Sequence, residues 1–406
     1  PPLVAGIGIK DGELEVRIDG RTIAVKGKTG VTGLAAVTTP VTVALTVAPG
    51  SRPQDQQVTL ALDSDELVAR ATASLAGTTV TALAVDRLRL GRTDLAGTLR
   101  RRPAGDYEAT LTGASLDLET LLADPLLAAV DGAALAASYA LSLRLGRVQA
   151  ASDLEIRNLR GSVRGTGSRF DTFAFSGTVA PNGEFQATLD GPASKPRIAV
   201  TSDQAGGLLH ALVGMGQIVG GRLTLEATTD QRGPQTLLEG KLVIRDFKVV
   251  RAPVLAMVLS SGSLSGIAAL VQGEGMPVRK ARVPFRWEAG RLMLNDVRAI
   301  GAVGLTADGV IDRRAGTCDL RGNIIPAYTL NTALGKIPLI GRLLVGGKGQ
   351  GVFGIDYRVT GKLADPAVRV NPLTWVAPTV LRTWFVDPFV RGTADATPAP
   401  RPTAGR

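Results

Sequence analysis

The sequence predicts a mainly β protein in which repeated antiparallel β-meanders form a long curled sheet or groove, with a few short amphipathic helices toward the C-terminal half. Three observations lead to this class. Apolar and polar residues alternate over much of the chain, 49 glycines separate the alternating segments, and helical periodicity is confined to a few stretches. Period-two alternation is typical of antiparallel strands with one apolar and one polar face, and frequent glycines favour short strands joined by turns.

The apolar residues of the clearest alternating segments are our candidates for the lining of such a groove. In residues 12–20, for example, Leu14, Val16 and Ile18 fall on one face of a strand and charged residues fall on the other. The candidates from the segments 12–20, 221–228, 240–247, 281–296 and 351–361 are Leu14, Val16, Ile18, Leu223, Leu225, Leu242, Ile244, Val283, Phe285, Trp287, Leu292, Leu294, Phe353, Ile355 and Tyr357.

An apolar sheet face is buried either against another layer or by curling of the sheet. Helical segments are too few to cover so long a sheet, so we expect a curled, partly open groove with an apolar interior. The alternation alone leaves a second arrangement open, an ordinary two-sheet sandwich with a filled core.

Two short motifs repeat among the alternating segments. The pattern G-[EKR]-L-x-[VIL] starts at Gly12, Gly221, Gly240 and Gly290, and we expect glycine to supply the turn before each strand. A longer pattern occurs twice, in residues 191–200 and 361–370. In both, a proline stands five positions after a glycine, and apolar residues follow it. We expect each of these to be a turn followed by a strand that begins just after the proline, where the missing N–H is tolerated.

Helical periodicity is limited to residues 118–130, 204–219, 252–272, 327–345 and 373–386. The uncharged stretch 252–273 is long enough to cross a bilayer. Its centre reads SSGSLSG and Pro253 stands near its start, which predicts two short helices lying on an apolar surface instead. We therefore expect no membrane anchor within the chain, and any anchor would lie upstream of Pro1.

The charge balance narrows the class of partner. The net charge is +10 and the sequence pI is about 10.1, but the basic residues are scattered along strand-like segments. Aromatic residues form only 4% of the chain, so bases would find few stacking partners. We expect no nucleic-acid partner, and we interpret the charge as a solvated basic surface that favours acidic lipid headgroups.

The residues that usually carry chemistry are nearly absent. Cys318 and His210 are the single cysteine and histidine, and no G-x-S-x-G nucleophile elbow occurs. Residues 346–351, GGKGQG, look like a phosphate-binding loop, but they follow a helix-like stretch, and Gly349 replaces the hydroxyl residue that would bind Mg²⁺. We therefore expect no enzyme, no catalytic residue, no metal site and no cofactor, and we interpret residues 346–351 as a helix end and a turn.

Four stretches together resemble the AsmA-like C-terminal region of bacterial envelope proteins, which is grouped with the bridge-like lipid transfer proteins. They are residues 220–228, 242–276, 320–373 and 377–385, which contain GGRLTLEAT, IRDFKVVRAPVLAMV, NIIPAYTLNTALGKIPLIGRLLVGGKGQG and APTVLRTWF. The order and the spacing of these stretches are also similar to that family. The resemblance covers roughly residues 151–386 and is weaker over the preceding 150 residues, where it concerns mainly period and turns.

The resemblance implies a function that the patterning does not. It implies a non-enzymatic periplasmic β-groove that binds the acyl chains of phospholipids, as part of a conduit between the inner and outer membranes that supports outer-membrane integrity. The chain would be anchored in the inner membrane through a segment upstream of residue 1, and envelope proteins would be further partners. The alternative function is a scaffold or assembly factor for outer-membrane proteins that acts through strand-edge pairing.

The C-terminal end of the chain supplies candidates for membrane contact, because aromatic residues beside arginines suit an interfacial helix. These candidates are Trp375, Arg382, Trp384, Phe385 and Phe389. Packing of the same residues against the last strands is the alternative. The implied organisation has a β-repeat region at 1–150, an AsmA-like region at 151–386 with a sub-boundary near 200–220, and a disordered basic Pro/Ala/Thr tail at 387–406.

Overall fold

The protein is described by a computed structural model over residues 8–32, 37–52, 54–118, 137–151, 154–167, 169–179, 181–192, 194–213, 215–230, 237–261, 264–326 and 355–371. The chain divides into two compact units, an N-terminal unit of Pro1–Phe247 and a C-terminal unit of Lys248–Arg406. The boundary at 247/248 differs from the boundaries near 150 and 386 that the resemblance implies. Those regions remain predictions, because they are defined by similarity to a family and not by contacts within the chain.

The N-terminal unit is built from consecutive strands and one short helix. Its strands are β1 (Gly8–Asp19), β2 (Thr22–Thr32), β3 (Val41–Pro49), β4 (Asp55–Asp63), β5 (Leu67–Ala76), β6 (Thr79–Leu90), β7 (Thr93–Arg101), β8 (Tyr107–Asp117), β9 (Ser138–Ala151), β10 (Leu154–Thr166), β11 (Arg169–Val179), β12 (Gly183–Asp190), β13 (Arg197–Ser202) and β14 (Ile218–Asp230), and β15 (Leu237–Val249) ends at the boundary. The helix is α1 (Ala205–Val213).

Each strand from β1 to β14 pairs with the next strand in sequence, so the N-terminal unit contains one long, open, curled sheet. The pairs are antiparallel except for β8 and β9, which run parallel. A parallel pair needs a crossover of about a dozen residues or more, and residues 118–137 between these strands supply that length.

The register aligns the apolar residues of successive strands. One row joins Val16, Val25, Leu45, Leu60, Ala71 and Val85 through directly opposed pairs. A second row joins Leu141, Val163, Phe173, Leu189, Ile198 and Ala227 in the same way. Because side chains on a strand alternate between the two sides, these rows place the apolar residues of β1–β14 on one side of the sheet. We call this side the apolar face and the opposite side the polar face.

Three strands carry an extra residue in the left-handed conformation. Asn158 in β10, Asp246 in β15 and Asp296 in β17 have φ of 53°, 56° and 56°. The apolar residues around them are three positions apart rather than two: Ile156 and Leu159, Ile244 and Phe247, and Leu294 and Val297. Register shifts occur at Asn158 and Asp296. An added residue of this kind is a β-bulge, which lets both flanking apolar residues point to the same side.

The C-terminal unit continues the meander with six further strands and two helices. These are α2 (Pro253–Ser261), α3 (Ser265–Gln272), β16 (Met276–Glu288), β17 (Arg291–Gly301), β18 (Val303–Asp312), β19 (Thr317–Pro326), β20 (Ile355–Lys362) and β21 (Asp365–Asn371). Consecutive strands from β16 to β21 pair antiparallel. α2 packs on α3 and β21, and Ala256, Val258, Leu259 and Val271 of the two helices are buried.

The predicted fold class is confirmed, and the two-sheet sandwich is not formed by the described strands, which belong to one sheet. The two short helices expected over 252–272 are also confirmed. The helix expected over 204–219 is too long, because it ends at Val213 and β14 begins at Ile218. The helical segments expected at 118–130, 327–345 and 373–386 lie almost entirely outside the described residues.

The glycine motif was interpreted correctly at one position only. Gly290 lies in the turn between β16 and β17 with φ of 84°, whereas Gly12, Gly221 and Gly240 lie inside strands. Close approach explains all three exceptions. A Cβ on Gly12 would collide with the Cβ of Thr29, one on Gly221 would lie 2.7 Å from the Cβ of Phe247, and one on Gly240 would collide with the Glu226 carbonyl oxygen.

The prediction that a strand begins just after the proline is confirmed in residues 191–200 and wrong in residues 361–370. β13 begins at Arg197, directly after Pro196. β21 begins at Asp365, one residue before Pro366, and Pro366 lies opposite Gly361 of β20. Among the described strands β21 pairs with β20 alone, and a strand with one neighbour tolerates a residue that lacks an N–H.

Candidate functional site

The apolar face of the N-terminal unit is the candidate functional site, because it is an extended apolar surface. It crosses β1–β14, and at about 4.8 Å per strand it measures about 60 Å along the direction of the strand pairing. Most of its side chains are half-buried rather than buried, as for Val43, Leu45, Val47, Leu60 and Leu62. A second layer packed on this face would bury such side chains at the density of a protein core.

The face is most open at the hairpin of β1 and β2. Val16, Ile18 and Ile23 are 58%, 70% and 41% exposed. Ile18 lies directly opposite Ile23, and Val16 lies opposite Val25, so these residues form one continuous apolar patch. Exposed large apolar residues that adjoin one another mark an interaction surface more often than residues scattered singly.

The face is covered at another end, where α1 packs against β10, β11 and β14. Leu208 of α1 is 2% exposed, and Phe185 and Leu223 of the nearby strands are buried as well. The helix begins at Ala205, three residues after Ser202, whose Oγ accepts the N–H of Gln204 at 3.0 Å. Gly206 lets the helix approach β14 closely, because a Cβ there would collide with the carbonyl of Ile218.

Two local clusters stabilise the sheet between these ends. In the first, Val37, Val41, Leu67 and Ala69 are buried. In the second, Leu116, Leu145 and Val148 are buried, with partly buried neighbours around them. The sheet is therefore held by small clusters at strand ends and bulges, and the middle of its apolar face stays only half-buried.

A carboxylate clamp closes the loop that leads into the first cluster. Glu66 accepts hydrogen bonds from the N–H and hydroxyl groups of both Thr38 and Thr39, including the Thr38 hydroxyl at 2.6 Å. These bonds, that of the Thr38 side chain first, lower the pKa of Glu66 to about 2. The carboxylate therefore stays charged over the ordinary range of pH.

The structure places the candidate groove residues on strands and separates them into several groups. Leu14, Val16 and Ile18 lie on β1, and Leu223 and Leu225 on β14, where Leu225 is opposite Val200. Leu242 and Ile244 lie on β15, half-buried and buried respectively. In the C-terminal unit, Val283, Phe285 and Trp287 of β16 run beside Leu292 and Leu294 of β17, with Phe285 opposite Leu294 and Trp287 opposite Leu292.

The last two described candidates lie in β20. Ile355 is opposite Ile324, and Tyr357 is 9% exposed and donates its hydroxyl to the Thr306 carbonyl at 2.7 Å. Burial raises the pKa of the Tyr357 hydroxyl. Phe353 and the membrane-contact candidates Trp375, Arg382, Trp384, Phe385 and Phe389 lie outside the described residues, as does the glycine loop at 346–351.

Sequence reasoning missed the middle of the face. The residues from β3 to β9 were not among the candidates, although Leu45, Leu60, Leu99, Leu111 and Leu143 occupy it. The signal was the same period-two alternation, which is visible in residues 41–49 and 55–63. It is less conspicuous there because alanine and threonine alternate with the larger apolar residues.

Groups with chemical reactivity are few in the part of the chain that the structure describes. Cys318 is half-buried in β19, where burial raises the pKa of its thiol. His210 lies in the last turn of α1. No group of three or more His, Cys, Asp or Glu residues in the described ranges could hold a metal ion. No helix within those ranges is long and apolar enough to cross a membrane.

Comparison of the chain with protein-family models, with curated proteins and with solved structures gave no match.

Proposed function

We propose that this protein is a non-enzymatic lipid-binding β-groove of the AsmA-like kind, part of a periplasmic conduit that moves phospholipid between the inner and outer membranes. In this proposal the acyl chains lie on the apolar face and the headgroups stay in water. An anchor upstream of residue 1 holds the protein at the inner membrane, and the C-terminal aromatic residues contact a membrane. No chemistry on the lipid is required.

The observation that carries the proposal is the length and continuity of the half-buried apolar face. The part of the face that α1 does not contact, β1–β9, measures about 40 Å along the pairing direction, which is longer than the hydrocarbon core of a bilayer, about 30 Å. Each CH₂ group that leaves an apolar surface for water costs about 0.8 kcal/mol, so an acyl chain of ordinary length crosses water at a large cost. An apolar track without interruption removes most of that cost.

The polar face supports the same proposal. Thr59, Thr72, Thr98 and Thr110 occupy it in the middle of the sheet, and arginines occupy it further along. The two sides of one sheet thus differ in the way that the two ends of a phospholipid differ. The net charge of +10 favours attraction to acidic headgroups.

The direct test is native mass spectrometry of the protein purified without detergent from a bacterial periplasm, with extraction of bound lipid. We expect stoichiometric phospholipid on the unmodified chain and its loss in Leu60→Asp, because a carboxylate on the open part of the apolar face cannot be buried against an acyl chain. Thr59→Asp is the matched control, since it places the same charge on the neighbouring, exposed position of the polar face. Equal lipid content in the two variants, or a folded protein without lipid, would contradict the proposal.

A second variant separates lipid loss from unfolding. Ile18→Asp changes a side chain that is 70% exposed, so the folded state should tolerate it. We expect reduced lipid transfer between donor and acceptor vesicles with an unchanged thermal unfolding curve. Phe285→Asp is the corresponding variant in the C-terminal unit, where Phe285 is half-buried.

A scaffold that pairs its strand edge with a client is the second candidate function. The observation in its favour is that β1, twelve residues long, pairs only with β2 among the described strands. Adjacent residues of a strand direct their N–H groups to opposite edges, so of Val16→Pro and Arg17→Pro one removes a donor from the outer edge. That variant should lose an outer-membrane protein client and retain lipid if edge pairing is the function.

A further inference from the structure

The polar face holds an arrangement of charge that the apolar face and its lipids do not explain. Arg144 of β9 lies directly opposite Arg160 of β10, and both side chains are exposed on the same side. Directly opposed like charges destabilise a pair of strands. Neither guanidinium forms an ion pair with a carboxylate among the described residues.

Other opposed arginine pairs of the molecule are compensated. In each of them at least one arginine lies within ion-pair distance of a carboxylate, such as Arg87 to Asp94 at 2.9 Å and Arg358 to Asp319 at 2.8 Å. Among the described strands these pairs are Arg70 with Arg87, Arg147 with Arg157, Arg282 with Arg298, Arg321 with Arg358, and Arg358 with Arg369. Each of these pairs thus has at least one carboxylate partner, and the pair of Arg144 and Arg160 has none among the described residues.

The same two arginines line a depression of about 360 Å³ on the polar face. Its other lining residues include Thr112, Gly146 and Asn158, so a hydroxyl and a carboxamide join the two guanidinium groups. Gly146 adds no side chain to the depression, and a Cβ there would lie 2.7 Å from the Ala114 carbonyl oxygen. Asn158 occupies the β-bulge of β10 with φ of 53°, which Asn adopts more readily than most residues.

A second depression adjoins the first and shares Gly146 and Asn158 with it. Arg147 and Arg157 line it, and both lie near the carboxylate of Glu155, at 3.3 Å and 3.5 Å. Arg157 also donates to the carbonyl of Pro181 at 3.0 Å. Glu155 therefore offsets part of the charge of this second pair, and the first pair has no such partner among the described residues.

The geometry points to an oxyanion-binding site at Arg144 and Arg160, for a ligand that presents a phosphate group. Planar guanidinium groups donate pairs of parallel hydrogen bonds to phosphate oxygens, and two opposed arginines can hold one phosphate between them. Thr112 and Asn158 supply further donors at the rim. The inference is independent of the proposed lipid groove, because it concerns the opposite face of the sheet.

The first test is isothermal titration calorimetry of the full chain with inorganic phosphate, and then with glycerol phosphate, in a low-salt buffer. Arg144→Gln and Arg160→Gln should each weaken binding about tenfold or more, because each removes charge-assisted hydrogen bonds. Arg164→Gln is the matched control on the same strand and face, opposite Ala140. It makes the same change of charge about 13 Å away and should alter the affinity less than about twofold.

A second measurement does not depend on the ligand. In phosphate-free buffer, Arg144→Gln removes the repulsion of an opposed like charge and should raise the melting temperature by about 1–3 °C, whereas Arg164→Gln should leave it unchanged. Added phosphate should then stabilise the unmodified protein more than Arg144→Gln.

Vesicles separate the two sources of the phosphate group. Flotation with phosphatidylglycerol vesicles, with zwitterionic phosphatidylcholine vesicles for comparison, tests a lipid headgroup, and the calorimetry tests a soluble ligand. Binding in either arm that is lost in Arg144→Gln and kept in Arg164→Gln supports the site and identifies the source. No binding in either arm, or equal loss in all the variants, overturns it.

Discussion

The β1–β2 hairpin and the part of β14 under α1 have the same sequence pattern and opposite environments. Ile18 of the hairpin is 70% exposed, whereas Leu223 of β14 is 3% exposed, although both are apolar residues of one face in an alternating strand. The difference is a cover of nine residues, α1. Alternation therefore assigns a residue to the apolar face, and the presence of a neighbouring element decides whether that residue belongs to a core or to an open surface.

The largest effect is expected under the helix. Leu208→Ala should lower the free energy of unfolding by about 2–5 kcal/mol, because it removes a fully buried side chain and leaves a cavity between α1 and the sheet. Urea denaturation of the unmodified and variant proteins measures the difference. A loss below about 1 kcal/mol would mean that α1 does not cover the face and that the contrast with the hairpin is false.

A smaller effect is expected at Tyr357, a candidate groove residue that is buried and hydrogen-bonded. Tyr357→Phe should cost about 0.5–1.5 kcal/mol, since the carbonyl of half-buried Thr306 loses the hydroxyl that donates to it at 2.7 Å. Denaturation of the full chain measures it, and Tyr107→Phe, at a position that is only half-buried, is the control. A stabilising effect would show that water reaches Tyr357 and that this part of the C-terminal unit is open.

In the open part of the sheet, the Glu66 clamp beside the cluster of Val37 and Val41 contributes to stability, and this contribution depends on pH. The folded state holds the pKa of Glu66 at about 2, below its ordinary value of 4.5. A lowered pKa means that the clamp stabilises the fold above about pH 4.5 and that this contribution is lost as the pH falls toward 2.

Melting curves of the unmodified protein and of Glu66→Gln test this dependence. The variant should melt at a lower temperature at pH 7, and the difference should shrink as the pH falls from 4.5 to 2. Asp65→Asn, which alters the neighbouring exposed carboxylate, is the control. A difference that stays constant over this range of pH would contradict the clamp.

The smallest effect is expected at the hairpin itself. Ile18→Ser should change the free energy of unfolding by less than about 0.5 kcal/mol, because the side chain is already mostly in water. The same variant should reduce the fluorescence of a hydrophobic dye bound to the protein, since it interrupts the exposed patch with Ile23. A large loss of stability would mean that Ile18 is buried, and the hairpin would then not differ from the covered strand β14.

Most of the architecture could be predicted from the sequence. Strand periodicity depends on neighbouring residues in the chain, so segments such as 12–20 and 281–296 indicated strands, hairpin partners and the side on which each residue lies. The paired helices at 252–272 could be predicted for the same local reason, because small polar residues interrupt an apolar run. The bulge residues Asn158, Asp246 and Asp296 also had a signal, an Asn or Asp between apolar residues three positions apart.

Only the tertiary structure determined which of these residues are exposed and which charged residues lie opposite one another on neighbouring strands. The burial of Leu223 depends on α1, and the opposition of Arg144 and Arg160 depends on the register of β9 and β10, which are contacts between residues separated in the chain. The turn expected at Gly221 is wrong for the same reason: Gly221 lies inside β14 with φ of 87°, where Phe247 of β15 approaches it. Alternation within one strand determines on which side of the sheet each residue lies. Burial and charge pairing depend on the residues that other strands and helices place on that side.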